Sequence, residues 1–163
     1  MNIRTISISG IVAALYIAVT FLVQPLAFGA VQLRLSEMFN HLIVFNKKYF
    51  YGIVIGVFLA NLLLSPMKVL DITFGVAHTA ISLAIVIFLG KYVKNIWARM
   101  VLNSLVFSFM IFIVAWELKI AFGTPFFETW GVLILGEIAV MLITMPIMYA
   151  IHKGVHFDKL FKK

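Results

Sequence analysis

Cysteine is absent from this chain of 163 residues, so disulfides, thiol chemistry and cysteine-ligated metals are excluded. Charge is scarce as well: 12% of the residues are charged, and six are acidic. A soluble domain covers its surface with polar groups, and a chain that is 64% hydrophobic with a mean hydropathy of +1.12 has too few. No glycine-rich phosphate loop with its lysine occurs, so the chain itself is not expected to hydrolyse ATP. His41, His78, His152 and His156 form no zinc-protease motif, since HKGVH at 152–156 lacks its glutamate, and no serine has a nucleophile-elbow context. Neither a repeated filter sequence nor an internal repeat is visible, which argues against a channel and against a symmetric alternating-access pair. An enzyme, a metal site and a cofactor are therefore not expected.

Long apolar runs fill the space that these absences leave. The pattern predicts an all-α integral membrane protein, a six-transmembrane-helix bundle forming one domain over residues 1–163. Its helices are expected over about 6–28, 33–45, 49–64, 71–89, 96–122 and 127–152. The first run is too long for a signal-peptide core and is followed by further apolar segments. Pro25 and Gly29, Asn46-Lys47-Lys48, Ser65-Pro66, Gly90-Lys91 and Gly123-Thr124-Pro125 mark the breaks.

The formal charge of +7 could suggest nucleic acid, but the basic residues sit in the short breaks rather than in one patch. With six crossings, Arg4, Lys47, Lys48, Lys91, Lys94, Arg99, Lys153, Lys159, Lys162 and Lys163 share one side. Arg34, Lys68 and Lys119 fall on the other. This positive-inside bias predicts cytoplasmic N- and C-termini. The tail from His156 to Lys163 is expected near the membrane surface.

One segment departs from the apolar rule. Gln32 to Phe45 places Arg34, Glu37 and His41 on one face of an α-helix, with Asn40 beside His41. A charged stripe on a short apolar helix is expected to face a bundle interior or a wet cavity, here a small-molecule site. Glu37, Asp71, Glu117, Glu128 and Glu137 all fall towards the outer end. Taken singly, Asp71 and Glu128 suit helix starts, while Glu37 and Glu117 suit pairing with Arg34 and Lys119. Glu137, nearly three turns into its helix, needs a partner or water. Together they suit a polar, cationic ligand captured from outside. Trp116 and Trp130 could stack on a flat ring or belong to an interfacial aromatic belt. His78 is either a ligand contact or half of a buried hydrogen-bonded pair with Thr79. Gly10, Ala14 and Ala18 form a smooth stripe, for packing within the bundle or against a separate membrane subunit.

The stretch FGAVQLRLSEMFNHLIVFNKKYFYGIVIGVFLANLLLSP, followed by DITFG at Asp71 to Gly75, resembles the queuosine-precursor transporter (QueT-like) family. The Trp116-Glu117 and Gly136-Glu137 pairs belong to the same resemblance. It implies a substrate-binding S subunit of an energy-coupling-factor transporter in the cell membrane of a prokaryote. Such a subunit works with a transmembrane coupling (EcfT-like) subunit, docked through helix 1, and two cytoplasmic ATPases. The implied substrate is a 7-deazaguanine-like precursor. Its donor edge suits Glu137 and Glu37, its carbonyl suits Asn61 or Arg34, and its flat face suits an aromatic such as Trp116. Asn40, His41, Asp71, His78 and Glu117 complete the expected ligand-binding set.

Overall fold

A computed structural model describes residues 3–29 and 32–161. Lys162 and Lys163, counted above for topology, lie outside them. The described residues form helices throughout, with no strand among them. In order they are α1 (Ile3–Leu22), α2 (Gln24–Ala27), a 3-10 segment (Leu35–His41), α3 (Leu42–Phe45) and α4 (Tyr49–Leu64). Then come α5 (Lys68–Leu70), a π-helical segment (Asp71–Gly75), α6 (Val76–Leu89), α7 (Ile96–Met110), α8 (Phe112–Phe122) and α9 (Phe126–Val155). Four continuous stretches are long and apolar enough to cross a membrane: Ile3–Leu22, Lys68–Leu89, Ile96–Phe122 and Phe126–Val155. Tyr49–Leu64 is apolar but shorter. At about 1.5 Å per residue it rises roughly 24 Å.

The helix pair α1 and α4 is built on the absence of side chains. α1 buries Ser9, Val12, Ala13 and Tyr16 against α4, which turns Gly52 and Gly56 towards it. A Cβ on Gly52 would stand 3.0 Å from the Ser9 Cα, and one on Gly56 would stand 2.8 Å from the Tyr16 Cβ. Glycine is what lets the two backbones approach. Gly10, Ala14 and Ala18 lie on the opposite, exposed face of α1, and a Cβ on Gly10 would meet nothing within 4 Å. The stripe therefore takes no part in the α1–α4 contact.

Several boundaries differ from those expected. Helix 1 ends at Leu22, because Pro25 and the turn at Val23 start a separate short helix, pinned where the Gln24 Nε2 donates to the Leu64 carbonyl at 2.8 Å. The segment over 33–45 is not one α-helix, since Leu35–His41 winds as a 3-10 helix. Its three-residue period aligns Arg34, Glu37 and Asn40, not Arg34, Glu37 and His41. Asp71 is not a helix cap. It opens the π segment, one turn inside a helical stretch that begins at Lys68.

Helix 5 is interrupted at Ile111 without proline or glycine. Near that point the His78 ring bonds the Phe107 carbonyl at 3.2 Å, and the Trp130 Nε1 donates to the Phe109 carbonyl at 3.2 Å. Side chains that compete for helix carbonyls are a known cause of such breaks. At the other end of the bundle the tail folds back. His156 caps α9 at φ 54°, the Tyr49 hydroxyl donates to the Phe157 carbonyl at 3.1 Å, and Phe161 is buried edge-on to Tyr49.

Candidate functional site

Polar side chains from six elements meet inside this apolar bundle. Arg34 donates from Nη2 to the Asp71 Oδ1 at 3.0 Å, with both residues buried. The Ser65 hydroxyl donates to the other Asp71 oxygen, and Ser65 in turn accepts from the Met67 N–H at 2.9 Å. Asn61 holds the π segment in place by donating from Nδ2 to the Asp71 carbonyl at 2.7 Å. Gly75 is the residue that makes this possible: a Cβ there would fall 2.6 Å from the Asn61 Nδ2 and 3.4 Å from the Arg34 Nη1. The Phe28 ring lies 5.4 Å from the guanidinium.

Glu37 is fixed from two sides. The Tyr16 hydroxyl donates to its Oε1 at 3.1 Å, and the Asn40 amide donates to its Oε2. The 3-10 period produces the second contact, since Asn40 stands one turn above Glu37. Thr20, one α-turn beyond Tyr16, donates to the Ser36 hydroxyl at 2.8 Å.

Two further carboxylates complete the cluster with little to hold them. Glu117 on α8 is fully buried, and no donor group reaches either of its oxygens, the Asp71 carboxyl being its close neighbour. Glu137 on α9 is 3% exposed with its Oε1 unpartnered. Glu137 lies in electrostatic range of Glu37 and Arg34, and Glu117 in range of Asp71 and Arg34. The Arg34 Nε and the Asn40 Oδ1 are also buried without partners. Four buried carboxyl groups thus surround one buried guanidinium. A buried carboxylate lacking donors is costly, and in a membrane-embedded bundle such residues mark functional sites. The free acceptors can take N–H groups, and the free Arg34 N–H can take a carbonyl.

A cavity of about 740 Å³ opens beside the cluster, with Phe28, Gln32, Met67, Asp71, Glu128 and Thr129 in its wall. Of the five clustered charges, Asp71 lines it, and Arg34, Glu37, Glu117 and Glu137 are not in its wall.

The expected site residues divide clearly. Arg34, Glu37, Asn40, Asn61, Asp71, Glu117 and Glu137 are gathered by the fold. His41 and His78 are buried but committed to protein groups: the His41 Nε2 bonds the Met141 carbonyl at 2.9 Å and its Nδ1 faces the Asn103 amide at 3.3 Å. His78 bonds the Phe107 carbonyl, and Thr79 has no partner, so the expected His78–Thr79 pair is not formed. Trp116 is 56% exposed and packs edge-on against Phe126, away from the cluster. Arg34 pairs with Asp71 rather than Glu37, and Lys119 is exposed while Glu117 is buried, so neither expected acid–base pair occurs. Among the described residues no three acidic or histidine side chains are grouped to hold a metal ion. Tyr16, Ser65 and Gly75 were not expected at the site. A signal for Tyr16 existed in the polar pair Tyr16 and Thr20, four residues apart on an apolar helix.

Comparison with known proteins bears directly on this cluster. The family model described as QueT transporter matches residues 6–153. The chain is also 34% identical over 158 residues to the queuosine precursor transporter QueT of Lactococcus lactis subsp. cremoris (strain MG1363), covering 91% of this chain and 92% of that one. No solved structure matches. These matches bear out the resemblance carried by Phe28 to Pro66 and Asp71 to Gly75, and they make the chain a transporter rather than an enzyme. A membrane-spanning protein with a buried polar cluster among apolar helices, it belongs to the QueT transporter family.

Proposed function

We propose that this chain is the substrate-binding subunit of an energy-coupling-factor uptake transporter in a prokaryotic plasma membrane. It captures a queuosine precursor of the 7-deazaguanine type from outside, and partner subunits import it at the expense of ATP. In this reading the chain crosses the membrane six times as one domain, with both termini in the cytoplasm. The observation that carries the proposal is the set of buried carboxylate oxygens without donors, on Glu117 and Glu137, beside the Arg34–Asp71 pair.

A 7-deazaguanine presents adjacent N–H groups on one edge, a carbonyl next to them and a flat face. A carboxylate accepts two N–H groups from such an edge, and the bonds are strengthened by its charge. Glu117 has both oxygens free for that edge, and Glu137 has one for a further N–H or an aminomethyl cation. The free Arg34 Nε is the donor for the carbonyl. Glu37, held by Tyr16 and Asn40, supplies its remaining lone pairs. Phe28, in the cavity wall, is the aromatic available to cover the ring. Substrate enters through the cavity and reaches the carboxylates by displacing the Arg34–Asp71 pair.

The exposed stripe of Gly10, Ala14 and Ala18 is the face on which the EcfT-like coupling subunit docks, because α1 does not use it within the chain. Two cytoplasmic ATPases complete the assembly.

Calorimetric titration with a 7-deazaguanine precursor tests the site. Glu137→Gln in a folded, monodisperse preparation should weaken binding at least about tenfold, since a charge-assisted hydrogen bond is worth roughly 1.5–3 kcal/mol. Unchanged affinity would remove Glu137 from the site.

A further inference from the structure

A second cleft lies at the basic end of the bundle, remote from the carboxylates. It has a volume of about 360 Å³ and an apolar floor that includes Ile43 and Val86. Lys47, Lys91 and Arg99 line it from three different places: the turn before α4, the turn after α6, and the first half of α7. Arg99 packs against Gly90, whose Cβ position is 3.6 Å from the Arg99 Nε, an ordinary van der Waals contact. Among the described residues none of these three cations forms an ion pair. Asp158, the acid near this end, stands 3.9 Å from His152, and Lys48 lies over the Phe161 ring.

Three cations brought together without a counter-charge call for an anion. The carbonyl end of α6 opposes one, but with only about half an elementary charge against three. The surroundings then decide between a soluble anion and a lipid. Lys91 lies with its Nζ 5.7 Å from the Phe88 ring, and Phe88 belongs to an apolar groove of about 510 Å³ that runs along α6 past Ala84 and Ala80. Lys91, in the wall of the basic cleft, thus reaches over Phe88 at the end of the groove.

We propose that the cleft formed by Lys47, Lys91 and Arg99 binds the phosphate headgroup of an anionic membrane phospholipid, with an acyl chain along the α6 groove. Each cation near a membrane surface contributes roughly a fivefold gain in binding to anionic lipid. This site is separate from the carboxylate cluster and independent of which substrate the protein carries.

The full chain, purified in neutral detergent and stripped of lipid, is titrated by native mass spectrometry. Three probes are used separately: dioctanoyl phosphatidylglycerol, dioctanoyl phosphatidylcholine and inorganic phosphate. Phosphatidylglycerol is expected to bind saturably and at least tenfold more tightly than the other two. Lys47→Gln, Lys91→Gln and Arg99→Gln should each weaken it about fivefold. The combined Lys47→Arg, Lys91→Arg and Arg99→Lys protein should bind as the wild type does, which separates loss of charge from loss of fold. Lys68→Gln, outside the cleft, should change nothing. The proposal is overturned if phosphatidylcholine binds equally, or if the three glutamine variants bind like the wild type. Loss of binding in the charge-preserving protein also overturns it. Inorganic phosphate binding as tightly as the lipid would make this a soluble-anion site. Failure of every probe, with loss of a co-purifying protein in the glutamine variants, would make it a protein contact.

Discussion

Replacing Glu117 with methionine separates a carboxylate kept for function from one kept for structure. Both Glu117 oxygens are buried without a donor, so the side chain destabilises the empty protein. Methionine is unbranched and similar in length, and it adapts to irregular space. An unsatisfied buried polar group costs about 1–3 kcal/mol. For a chain of this size each kcal/mol moves the midpoint by about 2–4 °C, so the ligand-free Glu117→Met protein should melt roughly 2–12 °C higher. The same change removes the acceptor for the substrate edge, and affinity for a 7-deazaguanine precursor should fall at least about tenfold. Glu37→Gln provides the contrast. Its oxygens are engaged by Tyr16 and Asn40, so that variant should melt lower than the wild type. Thermal unfolding in detergent, with and without ligand, reads both quantities. A Glu117→Met protein that melts below the wild type, or that binds the precursor as tightly, would refute the reasoning.

Three further outcomes follow from the packing and the charges. Asp71→Asn removes the carboxylate that Arg34 bonds directly, leaving the other three carboxyl groups around it, and should destabilise the protein by about 1.5–3 kcal/mol, seen as a lowered melting midpoint even without ligand. Gly56→Ala places a Cβ 2.8 Å from the Tyr16 Cβ and should cost about 1–3 kcal/mol, whereas Gly10→Ala, with open space around it, should leave the midpoint within about 1 kcal/mol of the wild type. Ala14→Leu with Ala18→Leu should leave precursor affinity intact while abolishing co-purification with the coupling subunit; wild-type recovery of the complex would move the docking face elsewhere.

The sequence showed the α-helical, membrane-spanning character plainly, because apolar runs broken by Asn46-Lys47-Lys48, Ser65-Pro66 and Gly90-Lys91 need no tertiary information. Tyr49–Leu64 begins and ends at those signals. The 3-10 winding of Leu35–His41 had no such signal, since LSEMFNH holds neither proline nor glycine. What accompanies it is tertiary: the Glu37 carboxylate bonded by Tyr16 from another helix, and Ser36 bonded by Thr20. The convergence of Arg34, Glu37, Asp71, Glu117 and Glu137 was legible because charge is so rare in this chain that each instance stands out. Their partners were not. Asp71 stands at a helix start by local pattern, and its pairing with Arg34, 37 residues earlier, depends on how the helices cross. His78 and Trp116 show the reverse failure: polar and aromatic residues attract attention, yet one is bonded to a helix carbonyl and the other faces outward.

The 3-10 segment makes chain length itself a chemical variable. With three residues per turn, removing one residue between Arg34 and Asn40 rotates everything on one side of the gap by about 120°. A deletion after Glu37 would take Asn40 away from it, and one before Glu37 would stop Arg34 facing Asp71 while Glu37 faced Tyr16. Loop positions such as Val93 and Lys94, outside any helix, carry no such constraint on count. Gain or loss of a single codon should therefore be tolerated by the fold at Val93 and Lys94 and forbidden between Arg34 and Asn40.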